Sequence, residues 1–400
     1  MQKTLIASAV ACLSLSSAQA QTTVTVGGRI DAGYTFTKQS NNDAANGTPG
    51  GGKTTETMSD NAMTTSRLLV QAKEDLGSGF GAEVYIDLRF GNFFEGKDGT
   101  TGGLNANDRK SLSLTSPIGY LMMGVQNPAG HNYTVAEKPY MSSPKDVNNI
   151  QYGVALLRET KLTQRNAELR TAAIPVAATN WALKGSYAIG DNRKSGVSDI
   201  AGVGSGDFYS VGFEGAYGSV SNDMERNRPF MSWGYDFNRK GDTNAAAANP
   251  TGPSNQNNSI QFSKVFYTIR PIPSVKLGTA YFMYSGYNPS AVAAQGPAFQ
   301  EKNWSIDAQY TWRDKIVAGA YYSRLNDMGQ VRNSGKGYGM AAYYYLSKTL
   351  AIGATTTRQD FQRNETITGG KFDGTAPGFI GSSVAKLDKR QSWINIMKDF

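Results

Sequence analysis

Arginine recurs at one parity through the first part of the sequence, as Arg29, Arg67, Arg89 and Arg109. Each falls on the polar side of a stretch that alternates polar and apolar residues: Arg67 opposes Leu68 and Val70, and Arg109 opposes Leu112 and Leu114. A long polar segment, residues 128–163, carries Glu137, Asp146 and Glu159. Guanidinium groups facing carboxylates across a narrow aqueous space create a transverse field, which sorts ions by charge. The expectation is therefore a basic wall of Arg29, Arg67, Arg89 and Arg109 opposite an acidic segment with Glu137, Asp146 and Glu159. Asp31, Glu83, Asp87, Glu214 and Asp307 share the polar parity, so the wall is mixed in charge.

Other chemistries find little to work with. His131 is the single histidine, so a histidine-based triad would have to be built on it, inside a long loop. The single cysteine, Cys12, lies in an apparent leader, which excludes disulfides, thiolate chemistry and His/Cys metal ligation from the remainder. No segment has EF-hand spacing. Gly202-Val203-Gly204-Ser205-Gly206 is glycine-rich but no helical pattern follows it. No enzyme, no metal and no cofactor is expected.

The leader itself is readable. Lys3 supplies the positive start, Thr4 to Leu15 is mostly apolar, and Ala18-Gln19-Ala20 is a small-x-small cleavage site. Residues 1–20 are read as a cleaved signal peptide and 21–400 as one domain. Without the leader, 39 lysines and arginines stand against 32 acids, scattered rather than clustered. Basic runs interleaved with aromatics are absent, so nucleic acid is not an expected partner. No run of eighteen apolar residues follows the leader, which rules out a transmembrane helix but not a membrane-spanning barrel.

Period-two patterning predicts the elements. In residues 23–37, Val24, Val26, Ile30, Ala32, Tyr34 and Phe36 oppose Thr25, Arg29, Asp31 and Thr35. Residues 80–90 set Phe80, Val84, Ile86, Leu88 and Phe90 against Glu83, Tyr85, Asp87 and Arg89. In 304–312, Trp304, Ile306, Tyr310 and Trp312 oppose Ser305, Asp307 and Gln309. Aromatics close both ends of the apolar face in the last two segments and one end in the first, as in lipid-facing strands with interfacial girdles; a soluble sandwich would fill that face with aliphatics.

Tight turns near residues 75–79, 116–119, 271–274, 313–315 and 347–349 alternate with long polar segments: 38–63, 92–107, 128–163, 190–206, 241–257, 286–302, 326–336 and 364–388. Short–long alternation is the layout of an up-and-down barrel. About sixteen strands are predicted, including 22–37, 164–173, 207–218, 228–240 and 389–400. The fold class is an all-β, transmembrane, antiparallel up-and-down β-barrel.

Thr22-Thr23-Val24-Thr25-Val26-Gly27-Gly28-Arg29-Ile30-Asp31-Ala32-Gly33-Tyr34 resembles the first strand of the general porins of beta-proteobacteria. Ala72-Lys73-Glu74-Asp75-Leu76-Gly77-Ser78-Gly79-Phe80-Gly81-Ala82 resembles their first periplasmic turn, and Phe400 resembles the residue by which the barrel-assembly machinery recognises them. Departures occur at Gly124-Val125-Gln126, where the family usually has Gly-Arg-Gln, in the length of 128–163, and at Lys398-Asp399. The resemblance implies a sixteen-stranded homotrimer in the outer membrane of a Gram-negative bacterium, with the third loop folded into the lumen.

The expected function is a water-filled channel for passive diffusion of small hydrophilic solutes and ions, with a mild preference for anions. The alternatives are a substrate-selective channel, in which Tyr133, Tyr140 and Tyr152 of the third loop could form a slide, and an adhesin or receptor barrel acting through its outer loops.

Overall fold

The structure, a computed structural model, describes residues 22–43, 53–59, 66–90, 104–126, 134–137, 164–188, 208–219, 228–240, 260–287, 298–313, 315–327, 334–362 and 384–400. The described elements are strands. In chain order they are β1 (Thr22–Asp43), β2 (Lys53–Ser59), β3 (Arg67–Gly77), β4 (Phe80–Phe90), β5 (Leu104–Ser116) and β6 (Gly119–Gln126). Next come β7 (Gln164–Thr171), β8 (Ile174–Val176), β9 (Thr179–Ala188), β10 (Phe208–Tyr217), β11 (Met231–Lys240) and β12 (Ile260–Ile272). The last six are β13 (Val275–Tyr287), β14 (Ala298–Trp312), β15 (Ile316–Asp327), β16 (Ser334–Ser347), β17 (Leu350–Gln362) and β18 (Val384–Asp399).

Two pairs of these segments each form one strand of the wall. β2 and β3 both pair with β1, at Gly33↔Ser59 to Gln39↔Lys53 and at Thr22↔Glu74 to Arg29↔Arg67. Likewise β7 and β8 both lie along β9. The wall thus has sixteen antiparallel strands, and it closes because β18 pairs back onto β1 from Arg29↔Asp399 to Asp43↔Val384. Closure leaves no open edge, so the ladder satisfies the backbone N–H and C=O groups without help from solvent.

The burial order is inverted relative to a protein that lives in water. Val24 and Ile394 are 63% and 64% exposed, whereas Asp31, Glu168 and Glu214 are fully buried. Along β18, Ile394 and Ile396 point out while Asn395 and Met397 point in. The outward side chains of β9–β11 form aromatic contacts at both ends of the strands. Trp181 meets Trp233 edge-on at 5.4 Å near the short-turn end, and Tyr209 meets Phe237 at 6.1 Å near the other. An apolar band between aromatic belts is stable only against hydrocarbon.

Several inward rings lie flat across glycines of the neighbouring strand. A Cβ on Gly353 would sit 2.2 Å from the Tyr343 ring, and one on Gly234 would sit 2.4 Å from Phe266. Hairpin turns close one end of the barrel. One of them is Gly77-Ser78-Gly79, three residues with positive φ, where the Asp75 side chain accepts a hydrogen bond from the Gly77 N–H at 2.8 Å.

Several expected boundaries move. The segment 38–63 was expected as a loop, but β1 runs on to Asp43 and β2 returns as Lys-Thr-Thr-Glu-Thr-Met-Ser, whose β-branched threonines suit a pleated strand. β14 and β18 start at Ala298 and Val384, inside segments expected as loops, so these hairpins also extend further. The strand expected at 164–173 runs from Gln164 to Thr171 and, after a two-residue break, resumes as Ile174–Val176. Residues 1–20 lie outside the described residues.

Candidate channel constriction

The inner face of β9–β12 carries charges in contact. Lys184 on β9 and Lys264 on β12 flank Asp236 on β11, with Nζ–Oδ1 at 2.7 Å and Nζ–Oδ2 at 3.4 Å. The three side chains are almost wholly buried, so each charge depends on its neighbours for solvation. Glu214 on β10 completes the group, and its Oε1 accepts the backbone N–H groups of Thr134 and of Val135, the latter at 3.1 Å. Those two residues belong to the third loop, so part of the loop lies inside the barrel against β10.

Glu137 fixes the same loop segment a second time. Its N–H donates to Ser232 Oγ at 3.0 Å. Its carboxylate takes two bonds from Arg270, Nη2–Oε1 at 2.6 Å and Nε–Oε2 at 2.9 Å, and a further one from Arg228. Lys276 Nζ stands 3.6 Å from Oε1. Burial by itself would raise the Glu137 pKa, but the Arg270 hydrogen bonds and the charges of Lys276, Arg228 and Arg270 outweigh it and hold it at about 2. Arg228 comes from the β10–β11 connection, Arg270 from the end of β12 and Lys276 from the start of β13, so three elements converge on one carboxylate.

The opposite wall holds the arginines of the sequence reading. Register aligns Arg29, Arg67 and Arg89 as a row across β1, β3 and β4, and sets Arg109 of β5 opposite Asp87. Arg29 makes a two-pronged contact with Asp399, at 2.6 and 3.1 Å, and Arg67 Nη1 lies 3.3 Å from Asp87 Oδ2. Asn395 donates to Asp31 Oδ1 at 2.9 Å beside them. Arg29 and Arg67 are thus matched by carboxylates of their own wall, and Glu137 takes its partners from the far side of the barrel. Asp146, Glu159, His131, Tyr133, Tyr140 and Tyr152 lie outside the described residues, as do the side chains of Arg89 and Arg109.

Lys184, Arg228, Lys264, Arg270 and Lys276 were not singled out from sequence. A signal was available for two of them: Lys184 alternates with Leu183 and Tyr187, and Lys264 with Val265 and Tyr267, which marks both as inward. Nothing in spacing alone joins Glu137 to Arg270, 133 residues later. Among the described residues, no group of three or more His, Cys, Asp or Glu could hold a metal ion.

Comparison with known proteins agrees with this closed barrel. The family described as Gram-negative porin matches residues 7–364. The chain is 34% identical over 124 residues to outer membrane porin protein 32 of Delftia acidovorans, a match spanning 31% of each protein. In fold it is similar to an anion-selective porin from Comamonas acidovorans, with a TM-score of 0.60, 15% identity and coverage of 95% of this chain and 100% of that one. It is similar also to the trimer form of OmpT, an outer membrane protein of Vibrio cholerae, with a TM-score of 0.58, 12% identity and coverage of 95% and 99%. The chain belongs to the Gram-negative porin family.

Proposed function

We propose that the protein is an outer-membrane porin, a homotrimer of water-filled channels through which small hydrophilic solutes and ions diffuse passively. The observation that carries this reading is the polarity of the barrel, with apolar side chains outside and buried Lys184, Asp236, Lys264 and Glu214 inside. A trimer form is named for OmpT of Vibrio cholerae, to which this chain is similar in fold. Phe400 serves as the recognition residue for the assembly machinery; it is 56% exposed at the outer side of the seam, where another protein can reach it.

The constriction lies where the third loop meets the lumen. Its basic side includes Arg29, Arg67, Arg89 and Arg109, and its acidic side is the loop with Glu137, Asp146 and Glu159. Glu137 is neutralised by three cations, so it works as an anchor for the loop and adds little negative field of its own. On β9–β14 the described inward groups and the pinned loop set five cations, Lys184, Arg228, Lys264, Arg270 and Lys276, against Glu137, Glu214, Asp236 and Asp307. The excess of basic residues over the whole chain has the same sign. A mild anion preference follows.

Purified protein in a planar bilayer tests both statements. Stepwise currents are expected, and the reversal potential in a KCl gradient should lie on the chloride side. A reversal potential on the potassium side would refute the anion preference, and a bilayer without steps would refute the channel.

A further inference from the structure

Two outward rows of the wall are charged along one arc, at the end of the strands away from the short turns. Register carries the first row from Arg324 on β15 through Lys336 and Asp360 to Asp388 on β18. The second runs from Tyr338 on β16 through Arg358 and Arg390 to Lys38 on β1. These positions share the parity of the exposed Met340, Ile352 and Ile394, so they lie on the outside of the barrel. Trp304 pairs with Arg324 and Tyr322 with Tyr338, and the Trp304 and Tyr322 rings are 5.4 Å apart. An outward aromatic belt marks the boundary between hydrocarbon and headgroups, and the arc starts there.

Asp388 is shared by Arg358, at 3.0 and 3.2 Å, and by Arg390, at 3.9 Å, while Lys336 stands 3.8 Å from Asp360. With Arg324 and Lys38, five cations meet two carboxylates in these rows. Glu56 lies one row nearer mid-wall, opposite Phe36, and accepts from the Tyr34 hydroxyl. The Lys336 and Arg390 side chains keep 53% and 56% of their surface exposed. On β9–β12 the last two outward rows hold one charged residue, Arg239, among Tyr187, Tyr209, Val211 and Phe237. The charge is therefore a property of one sector of the rim.

We infer that this arc binds the phosphate groups of the lipids that surround the barrel, in the leaflet on the long-loop side. A phosphate offers several charged acceptor oxygens, and a guanidinium meets them with paired hydrogen bonds. Lysine and arginine stems lie along an apolar wall while their heads rise to the headgroups. Position selects the ligand. Side chains on the outer wall, level with an aromatic belt, meet lipid headgroups before any solute, and anionic headgroups balance the excess of cations.

The test titrates the purified, detergent-solubilised protein with lipid A carrying both phosphates, with the same lipid dephosphorylated, and with inorganic phosphate. Native mass spectrometry reads the bound species and the oligomer together. The wild type is expected to bind the phosphorylated lipid about tenfold or more tighter than the dephosphorylated one, each basic group beside an anionic surface being worth roughly fivefold. Lys336→Gln combined with Arg390→Gln should lower that preference about tenfold or more. Lys336→Arg combined with Arg390→Lys should keep it, and so should Arg239→Gln on the far wall. Arg324→Gln alone, at an exposed position, should lower it roughly fivefold and serves if the double variant does not fold. Equal binding of the two lipids, or a preference that the glutamine variants leave intact, would overturn the inference. Inorganic phosphate bound as tightly as the lipid would overturn it too, by making the arc a site for the free anion. A double variant that loses the oligomer but keeps the lipid preference would assign the arc to a second copy of the chain instead.

Discussion

Glu137 shows how one side chain positions a loop. The loop segment 134–137 has no strand to hold it, yet Glu214, Ser232, Arg228, Arg270 and Lys276 fix it at both ends. Glu137→Gln keeps the shape of the side chain and removes its charge, leaving three cations with no carboxylate between them. Single-channel recordings of this variant should show a larger and noisier open state, because the loop would no longer be held to the wall; a trace indistinguishable from wild type would mean that the anchor is redundant. Acid should act in the same way but late. A carboxyl held at about 2 rather than at its ordinary 4.5 contributes its full anchoring above pH 4.5, and loses it as pH falls from there through about 2. The difference is on the order of 3 kcal/mol. Open-channel noise should therefore be unchanged between pH 7 and pH 5 and rise between pH 4 and pH 2.

At the scale of the strand, the important fact is alternation. Ile394 and Asn395 are neighbours in β18, but one faces lipid and the other the lumen. Arginine at position 394 would place a charge in hydrocarbon and should destabilise the barrel by about 2–4 kcal/mol if that position is near mid-membrane, measured by urea unfolding in liposomes. The Asn395→Ser change should cost much less. The same alternation is why the architecture could be read from sequence. In 23–37, 80–90 and 304–312 every second residue declares its solvent, and a period of two admits no other element. What spacing could not reveal was the partner of Glu137, since strand parity tells which side of the wall a residue faces but not which part of the wall a loop will meet. The extension of β1 to Asp43 was obscured for a different reason: beyond the membrane both faces of a hairpin are wet, so Lys53–Ser59 has no apolar side to mark it as a strand.

For the molecule as a whole, the seam between β1 and β18 carries the integrity of the barrel. The Gly28 N–H donates to the Phe400 carbonyl at 2.9 Å, and the Phe400 N–H returns a bond to the Gly28 carbonyl at 3.1 Å. A Cβ on Gly28 would fall 2.5 Å from both the Arg67 carbonyl oxygen and the Phe400 ring. Gly28→Ala should therefore strain the seam by roughly 1–3 kcal/mol. The expected sign is a lower midpoint for thermal unfolding of the barrel, followed by far-UV circular dichroism in detergent micelles. An unchanged transition would mean that the terminal ring simply swings away.

The Arg29–Asp399 contact joins residues 370 positions apart. No truncated product of translation can contain both partners, so a ribosome-bound nascent chain has two raw strand margins and no way to join them. Such margins are sticky toward any other extended polypeptide. The barrel can therefore close only after β18 has been made and brought back to β1, however early the other fifteen strands of the wall are in place.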